Sequence, residues 1–302
     1  MTKSLQQRFL FLFIFVLLSF SLDVYVDVNV EEGGEGTVNQ PFSSIQEAIT
    51  KKNSVALSAP GLRLILATGI YSGSQNLNIT IDSLFIEIIG DSEFSGQAES
   101  FDVIFDGSPS TFAFQATGTG SLNITNIKYQ NLNSVISFIP EDHENTKNFP
   151  ILFTSCYFQN IDQEVINANG NDFVMMDQCT FNQCHGSFIS ITGNSDRGGT
   201  ATLTDLTVSN SGGMYLVNIQ IHIERASFSA LGRRAIFFNP SKNSQNSIMS
   251  CSFTPPLASV FEGSAIYIQD TYSGNTQTTV RLSGNEFIGG TAGQGGAVWL
   301  GN

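Results

Sequence analysis

Apolar residues in this chain alternate with polar ones in short runs. The pattern is clearest in a line that recurs with variations: Cys156-Tyr-Phe158-Gln-Asn160, Cys179-Thr-Phe181-Asn-Gln183, Leu206-Thr-Val208-Ser-Asn210, Ala226-Ser-Phe228-Ser-Ala230 and Cys251-Ser-Phe253-Thr-Pro255. Ile127-Lys-Tyr129-Gln-Asn131 is an earlier copy and Asn285-Glu-Phe287 a later one. The aromatic or Val positions follow one another at spacings of 29, 23, 27, 20, 25 and 34 residues. A loose period of that size, filled with short β-type runs, marks a solenoid. Second strands lie between the copies, at Val135–Phe138, Val165-Ile166, Phe188–Ile191, Tyr215–Val217, Ala235–Phe238, Ala265–Ile268 and Ala297–Leu300. Two or three strands per period, joined by Asn or Gly turns, make one coil of a β-helix. Cys156, Cys179 and Cys251 each lie two residues before a Phe and face the same side of a strand as it does, so both are assigned to the core. Asn131, Asn160 and Asn210, two residues past the repeat aromatic, are assigned to coil corners, because Asn accepts left-handed backbone geometry. A β-sandwich would need hairpin turns between most strands. Asn169-Gly170 and Asp106-Gly107 occur, but the repeat register favours the solenoid.

The N-terminal part supplies a first strand, with Val24, Val26, Val28 and Val30 on one side. One helix follows. Ser43 with Gln46, or Ser44 with Glu47, forms a capping box, and Ile45, Ala48 and Ile49 form one apolar stripe. Helical periodicity is absent after Lys52. A helix this short is unstable alone and must lie on something. Val26-Asp27, Gly34-Glu-Gly36-Thr37, Pro41-Phe42 and Ser44–Ile49 resemble the opening of right-handed parallel β-helix proteins of the pectin-lyase-like superfamily. The resemblance implies an all-β fold: a single right-handed parallel β-helix over residues 22–302, with the short helix capping its N-terminal end. A cap there would cover an open strand edge and a naked core. Near the other end, Asn285–Ala292 followed by Gly295-Gly296-Ala297-Val298 resembles the repeat of polymorphic outer-membrane (Pmp-like) proteins, which are surface adhesin solenoids. That repeat pairs Phe-x-x-Asn with Gly-Gly-Ala-Ile, and Gly290 stands where its Asn would be. The chain reaches Asn302 inside a rung, so the solenoid is expected to be incomplete at its C-terminus.

Composition agrees with a folded chain, at 41% hydrophobic and 13% charged residues. Lys3 and Arg8 precede the apolar run Phe9–Phe20, with the small residues Ser19 and Ser21 placed like a cleavage site. Residues 1–21 therefore read as a signal peptide, and the destination as secreted or cell-surface. The alternative is a signal anchor, for which the run is short, since a spanning helix needs roughly 17–25 apolar residues. Removing Lys3 and Arg8 leaves 11 basic residues against 26 acidic ones, a net charge of −15. An acidic surface without a basic stripe argues against nucleic acid and anionic membrane as partners. Membrane contact is expected only through the signal segment or a C-terminal anchor beyond Asn302. The four cysteines, Cys156, Cys179, Cys184 and Cys251, suit a column of buried thiols better than a Cys156–Cys179 disulfide, which remains the alternative. Cys179-x4-Cys184-His185 has no second paired set, so neither a metal nor another cofactor is expected. Asn78-Ile-Thr80 and Asn123-Ile-Thr125 make Asn78 and Asn123 candidate N-glycosylation positions.

Several β-helix families are carbohydrate enzymes, and their catalytic groups are poorly matched. His185-Gly186 lacks acidic partners nearby, Asp172 and Asp177 have no matching acid in an adjacent copy, and Arg233-Arg234 has no acidic cluster in register. Gln269-Asp270-Thr271 and Leu231-Gly232-Arg233 resemble tripeptides of pectin methylesterases, but in reversed order, and Asp102–Gly107 echoes the second catalytic motif too early in the chain. The expected function is therefore non-catalytic: a secreted or cell-surface solenoid binding glycans or extracellular proteins in the manner of an adhesin. The alternative is a divergent carbohydrate-active enzyme, pectin lyase- or esterase-like. An enzyme should gather acids or bases from adjacent rungs in an open groove. A binding solenoid should place Asn, Ser, Thr and Phe there. Insertions at 140–150, 194–199 and 270–277 are expected to project from corners.

Overall fold

A computed structural model describes residues 21–55, 61–82, 85–90, 101–117, 120–138, 149–169, 173–193, 198–231, 234–254, 260–262, 265–269, 277–288, 292–294 and 297–301. Residues 1–20 of the expected signal peptide, 1–21, lie outside them, as do most of the three insertions. The described strands form an all-β parallel solenoid: after Ser21–Val26 and the helix Ile45–Val55, each turn from Gly61 onward contributes a strand to each of three ladders.

The first ladder, sheet 1, runs through Ser21–Val26, Gly61–Leu66, Phe85–Gly90, Ser121–Thr125, Ile151–Thr154, Phe173–Asp177, Gly199–Thr204, the second half of Gly213–Glu224, Gln245–Met249 and Thr279–Ser283. Sheet 2 stacks Gly69–Tyr71, Val103–Asp106, Lys128–Leu132, Tyr157–Ile161, Thr180–Cys184, Thr207–Ser209, Ser227–Ser229, Ser252–Phe253 and Glu286–Phe287. Sheet 3 stacks Ile79–Asp82, Phe112–Thr117, Ser134–Phe138, Ile166–Asn169, Ser187–Thr192, the first half of Gly213–Glu224, Ile236–Pro240, Ile266–Gln269 and Val298–Gly301. Each ladder is parallel, as a solenoid requires and a sandwich of hairpins forbids. Parallel crossovers of this kind are right-handed in nearly all proteins. Sheets 3 and 1 fuse in Gly213–Glu224, where the register shifts between Val217 and Ile219 and Asn218 adopts a φ of 50°.

The repeat seen in the sequence is the inner column of sheet 2. Tyr129, Phe158, Phe181, Val208, Phe228, Phe253 and Phe287 pair in register. The column begins two rungs earlier, with Tyr71 and Phe105. Rings stack at 5.5 Å for Tyr129–Phe158, 4.9 Å for Phe158–Phe181 and 5.0 Å for both Phe228–Phe253 and Phe253–Phe287. Val208 interrupts the stack. Burial of each ring contributes about 1.5–3 kcal/mol, and each ring pair roughly 0.5–1.5 more.

The corners follow the expected chemistry and add a second set. Asn131, Asn160 and Asn210 lie at φ 55°, 52° and 48°. Asn160 Nδ2 donates to Asn131 Oδ1 at 3.2 Å, and Asn131 Nδ2 to Asp106 Oδ1 at 2.8 Å. Three residues before each aromatic stands another left-handed residue: Asn126, Ser155, Gln178, Asp205, Arg225, Ser250 and Gly284, with φ between 52° and 66°. These bend the chain from sheet 1 to sheet 2. The residue types vary because the N–H of each of Asn126, Ser155, Gln178 and Asp205 is tied to a carbonyl of the next rung, which holds the bend without help from the side chain.

The four cysteines are free and buried. Cys156 and Cys179 occupy neighbouring rungs of one column, continued by Leu206, Ala226 and Cys251. Cys184 belongs to a different column, in register with Ile161 and Leu132. Burial pushes the Cys156 thiol well up and the Cys184 thiol up to about 12. All four therefore act as small apolar core residues.

At the N-terminal end the helix Ile45–Val55 packs Ile45, Ala48 and Ile49 against the core. Of the two capping frames, Ser44 with Glu47 is the one formed: Ser44 Oγ accepts the Glu47 N–H at 3.2 Å, and Glu47 reaches back to the Ser43 N–H at 3.1 Å. Asn76 Oδ1 accepts the Ile45 N–H at 3.0 Å, which fixes the cap to the next rung. The first strand ends at Val26, short of the Val30 that alternation suggested, because Asp27 Oδ1 takes the Asn29 N–H and starts a turn. Among the described residues no helix is long and apolar enough to cross a membrane.

Candidate functional site

With the interior filled, chemistry is left to the outward columns of the three sheets. Of the three sheets, sheet 1 carries the most charge in its strands, and its carboxylates are engaged. Arg63 Nε lies 3.2 Å from Glu87 Oε2, and Arg63 Nη1 lies 3.8 Å from Asp23 Oδ1. Burial raises the Glu87 carboxyl above its ordinary value, and Arg63 opposes part of that rise. Asp177 accepts the Thr204 hydroxyl. Arg225 grips Asp205 through two hydrogen bonds of 2.7 Å and reaches Glu224 at 2.6 Å. The Arg225 hydrogen bonds hold the Asp205 carboxyl below the usual carboxylate range.

Neighbouring rungs bring together one group that sequence reading missed. His222 Nδ1 lies 2.6 Å from Ser247 Oγ, and His222 Nε2 lies 3.4 Å from Glu224 Oε2. His222 and Ser247 are in register, and Glu224 lies two residues on along the same strand. Serine, base and acid in series are the parts of an acyl-transfer site. Such a site also needs donors aimed at the developing oxyanion. On the outer face of a regular ladder the backbone N–H groups are already spent on the next rung. Glu224 is shared with Arg225, so the contacts read as an extension of the Asp205–Arg225–Glu224 network.

The residues tested in the sequence for enzyme chemistry are scattered. His185 sits exposed at the end of sheet 2 with its N–H on the Ile161 carbonyl. Arg234 lies over the Tyr267 ring at 4.4 Å. Asp102 stands before the sheet 2 strand Val103–Asp106. Asp172, Arg233 and Asp270 lie outside the described residues. Among the described residues no three His, Cys, Asp or Glu side chains gather as metal ligands.

Sheets 2 and 3 present a different surface. In one outer column of sheet 2, Lys128 and Tyr157 are followed by Thr180, Thr207, Ser227 and Ser252 and then by Glu286; in the next, Asp106 is followed by Gln130, Gln159, Asn182, Ser209 and Ser229. The outer column of sheet 3 changes character along the axis. Thr80, Gln115, Ser137, Asn167 and Ser190 are followed in register by Tyr215, Phe237, Tyr267 and Trp299. The four rings stack at 4.8, 5.3 and 4.4 Å. Sequence reading assigned these segments to strands without giving the aromatics a face. The available signal was alternation: Met214 and Leu216 flank Tyr215, and Ile266 and Ile268 flank Tyr267, so inward flanks imply an outward ring.

Of the two sequon residues, Asn78 is exposed at a corner with a φ of 57°, and its Oδ1 accepts the Phe112 N–H at 3.1 Å. Asn123 faces outward from mid-strand, half-buried, and its Nδ2 donates to Glu87 Oε1 at 3.2 Å. The attachment nitrogen thus has no hydrogen-bond partner among the described residues at Asn78 and is engaged at Asn123.

Compared with known proteins, the chain matches no family model, and no curated protein matches it.

Proposed function

We propose that this chain is a non-catalytic, secreted or cell-surface binding solenoid that engages glycans or proteins along its outer face. The observation that carries this reading is the make-up of the outer columns of sheets 2 and 3. They offer hydroxyls, amides and a line of stacked rings, while the described acids of sheet 1 are occupied by Arg63, Arg225, Thr204 and Asn123. A rigid, regular array of neutral hydrogen-bonding groups and aromatic rings suits recognition of extended partners. The capping helix and three-ladder coil support kinship with the pectin-lyase-like superfamily, and the N-terminal basic-then-apolar segment supports export. Fold alone leaves the activity open.

The test pairs binding with turnover. Secreted protein is immobilised and exposed to a glycan panel and to extracellular proteins, while a parallel sample is incubated with pectin, polygalacturonate and neutral glucans. Binding without release of reducing ends, unsaturated products or methanol is expected. Turnover of any of these polymers that is lost in Ser247→Ala or in an Asp270→Asn variant would replace this reading with the enzymatic one.

A further inference from the structure

The aromatic stack on the outside of sheet 3 ends abruptly. One face of Tyr215 is covered by Phe237, at 4.8 Å and 13° between planes. The other face looks along the column towards Ser190, its partner in register, and meets no other ring among the described residues. Tyr215 is 41% exposed, unusual for a large side chain on this surface. Rungs of a parallel sheet are about 4.8 Å apart, close to the distance at which flat rings stack. The rung of Ser190 is therefore a vacancy one ring thick. Tyr215 closes one end, Ser190 forms the floor, Asn167 stands at the other end and Thr192 lies alongside.

The lining decides what fits. Ser190, Thr192, Asn167 and, one rung further, Ser137 are neutral hydroxyls and amides. Asn167 Oδ1 is shielded from solvent and has no hydrogen-bond partner among the described residues. Leaving such a group unpaired is costly, and turning its amide would offer it to a hydroxyl seated beside it. A purely aromatic ligand would leave these groups facing an apolar edge. An anionic ligand would find no charged partner in the column from Thr80 to Ser190, on a chain of net charge −13. A ring with one C–H face for Tyr215 and a rim of neutral hydroxyls for the rest satisfies every wall.

We propose that Tyr215, Ser190, Thr192 and Asn167 form a subsite for one neutral pyranose unit of a glycan, seated on the free face of Tyr215 as the next ring of the stack. This rests on the binding reading above and names its ligand class. Phe237, Tyr267 and Trp299 hold Tyr215 rigid, so little side-chain freedom is lost on binding.

The experiment is NMR titration of the secreted protein with cellohexaose, laminarihexaose and mannohexaose, with hexagalacturonate as the charged comparison. Four proteins are compared: the natural chain, Tyr215→Ala, Ser190→Tyr and, on the outer face of sheet 1, Thr202→Tyr. Ser190→Tyr extends a stack that the next four rungs already carry, so it fills the vacancy while keeping the fold, as far-UV circular dichroism and the melting midpoint would verify. The expected result is binding of at least one neutral hexasaccharide in preference to hexagalacturonate. That binding should weaken at least about tenfold in Tyr215→Ala, be lost in Ser190→Tyr and be unchanged in Thr202→Tyr. Unchanged binding in a folded Ser190→Tyr, or binding lost only in Thr202→Tyr, overturns the subsite and leaves the binding solenoid standing. The subsite also falls if no neutral hexasaccharide binds, or if hexagalacturonate binds more tightly; capture of a protein partner would still uphold the broader reading. Polymer turnover in place of retention would remove both.

Discussion

Replacing Phe158 by alanine tests whether the inner and outer faces have been assigned correctly. Phe158 is fully buried and lies against Tyr129 at 5.5 Å and 9°, Phe181 at 4.9 Å and 17°, and Phe153 edge-on at 5.3 Å and 83°. Truncation opens a cavity between rungs whose spacing is fixed by backbone ladders on both sides, so the site has little freedom to collapse. A core Phe→Ala change costs about 3–5 kcal/mol, and the rigid surroundings favour the upper half. Phe237 provides the contrast. It also stacks between two rings, Tyr215 at 4.8 Å and Tyr267 at 5.3 Å, but on the outside. Phe237→Ala loses two ring pairs at roughly 0.5–1.5 kcal/mol each and opens no cavity, so it should cost about 1–3 kcal/mol. Urea unfolding followed by far-UV circular dichroism measures both. The reasoning is refuted if the two variants cost the same, or if Phe237→Ala costs more. A one-residue slip in register would exchange inward and outward side chains and give that reversal.

Three further outcomes follow from the coil geometry. In native protein all four thiols should resist a maleimide at pH 8 and react only after unfolding, since burial pushes Cys156 upward and Cys184 up to about 12; an intact mass lower by two hydrogens, from a Cys156–Cys179 bridge, would contradict the free-thiol core. When the chain is made in a eukaryotic secretory pathway, peptide mass mapping should find glycan on Asn78 and little on Asn123, whose Nδ2 is held by Glu87; the reverse occupancy would be inconsistent with these surroundings. At the corner of Asn160, where φ is 52°, Asn160→Gly should stay within about 0.5 kcal/mol of the natural chain, while Asn160→Val should cost about 1–2 kcal/mol. Equal melting midpoints for the two would mean that the corner is not left-handed.

The periodic line was enough to find the inner column of sheet 2, because Phe, Tyr and Val at those positions are forced by the same neighbours above and below. Tyr71 and Phe105 belong to that column but escaped the pattern, since the residues around them do not repeat the Cys-x-Phe-x-Asn wording. The corner Asn residues were legible for a physical reason: few residue types tolerate a positive φ. The second corner set was not, because Ser155, Gln178, Asp205 and Arg225 share a conformation held by backbone hydrogen bonds and not by side-chain type. Tyr215, Phe237, Tyr267 and Trp299 were hidden by spacing. They fall 22, 30 and 32 residues apart, since insertions of different length separate sheets 2 and 3 on each turn. Register across sheet 3 had to be known before the four rings formed a line.

That difference in legibility has a consequence for recognition. A regular solenoid offers nearly the same surface on every rung, so a polymeric ligand lying along it would have many equivalent positions and no preferred one. Inner columns repeat because each rung must fit the next, and they carry no positional information. An outer column is free to change from rung to rung, and a site with a unique position must lie at such a change. In sheet 3 the change falls between Ser190 and Tyr215, where small polar side chains meet the end of an aromatic stack. The break that makes the column hard to read from sequence is also what would fix the register of anything bound there.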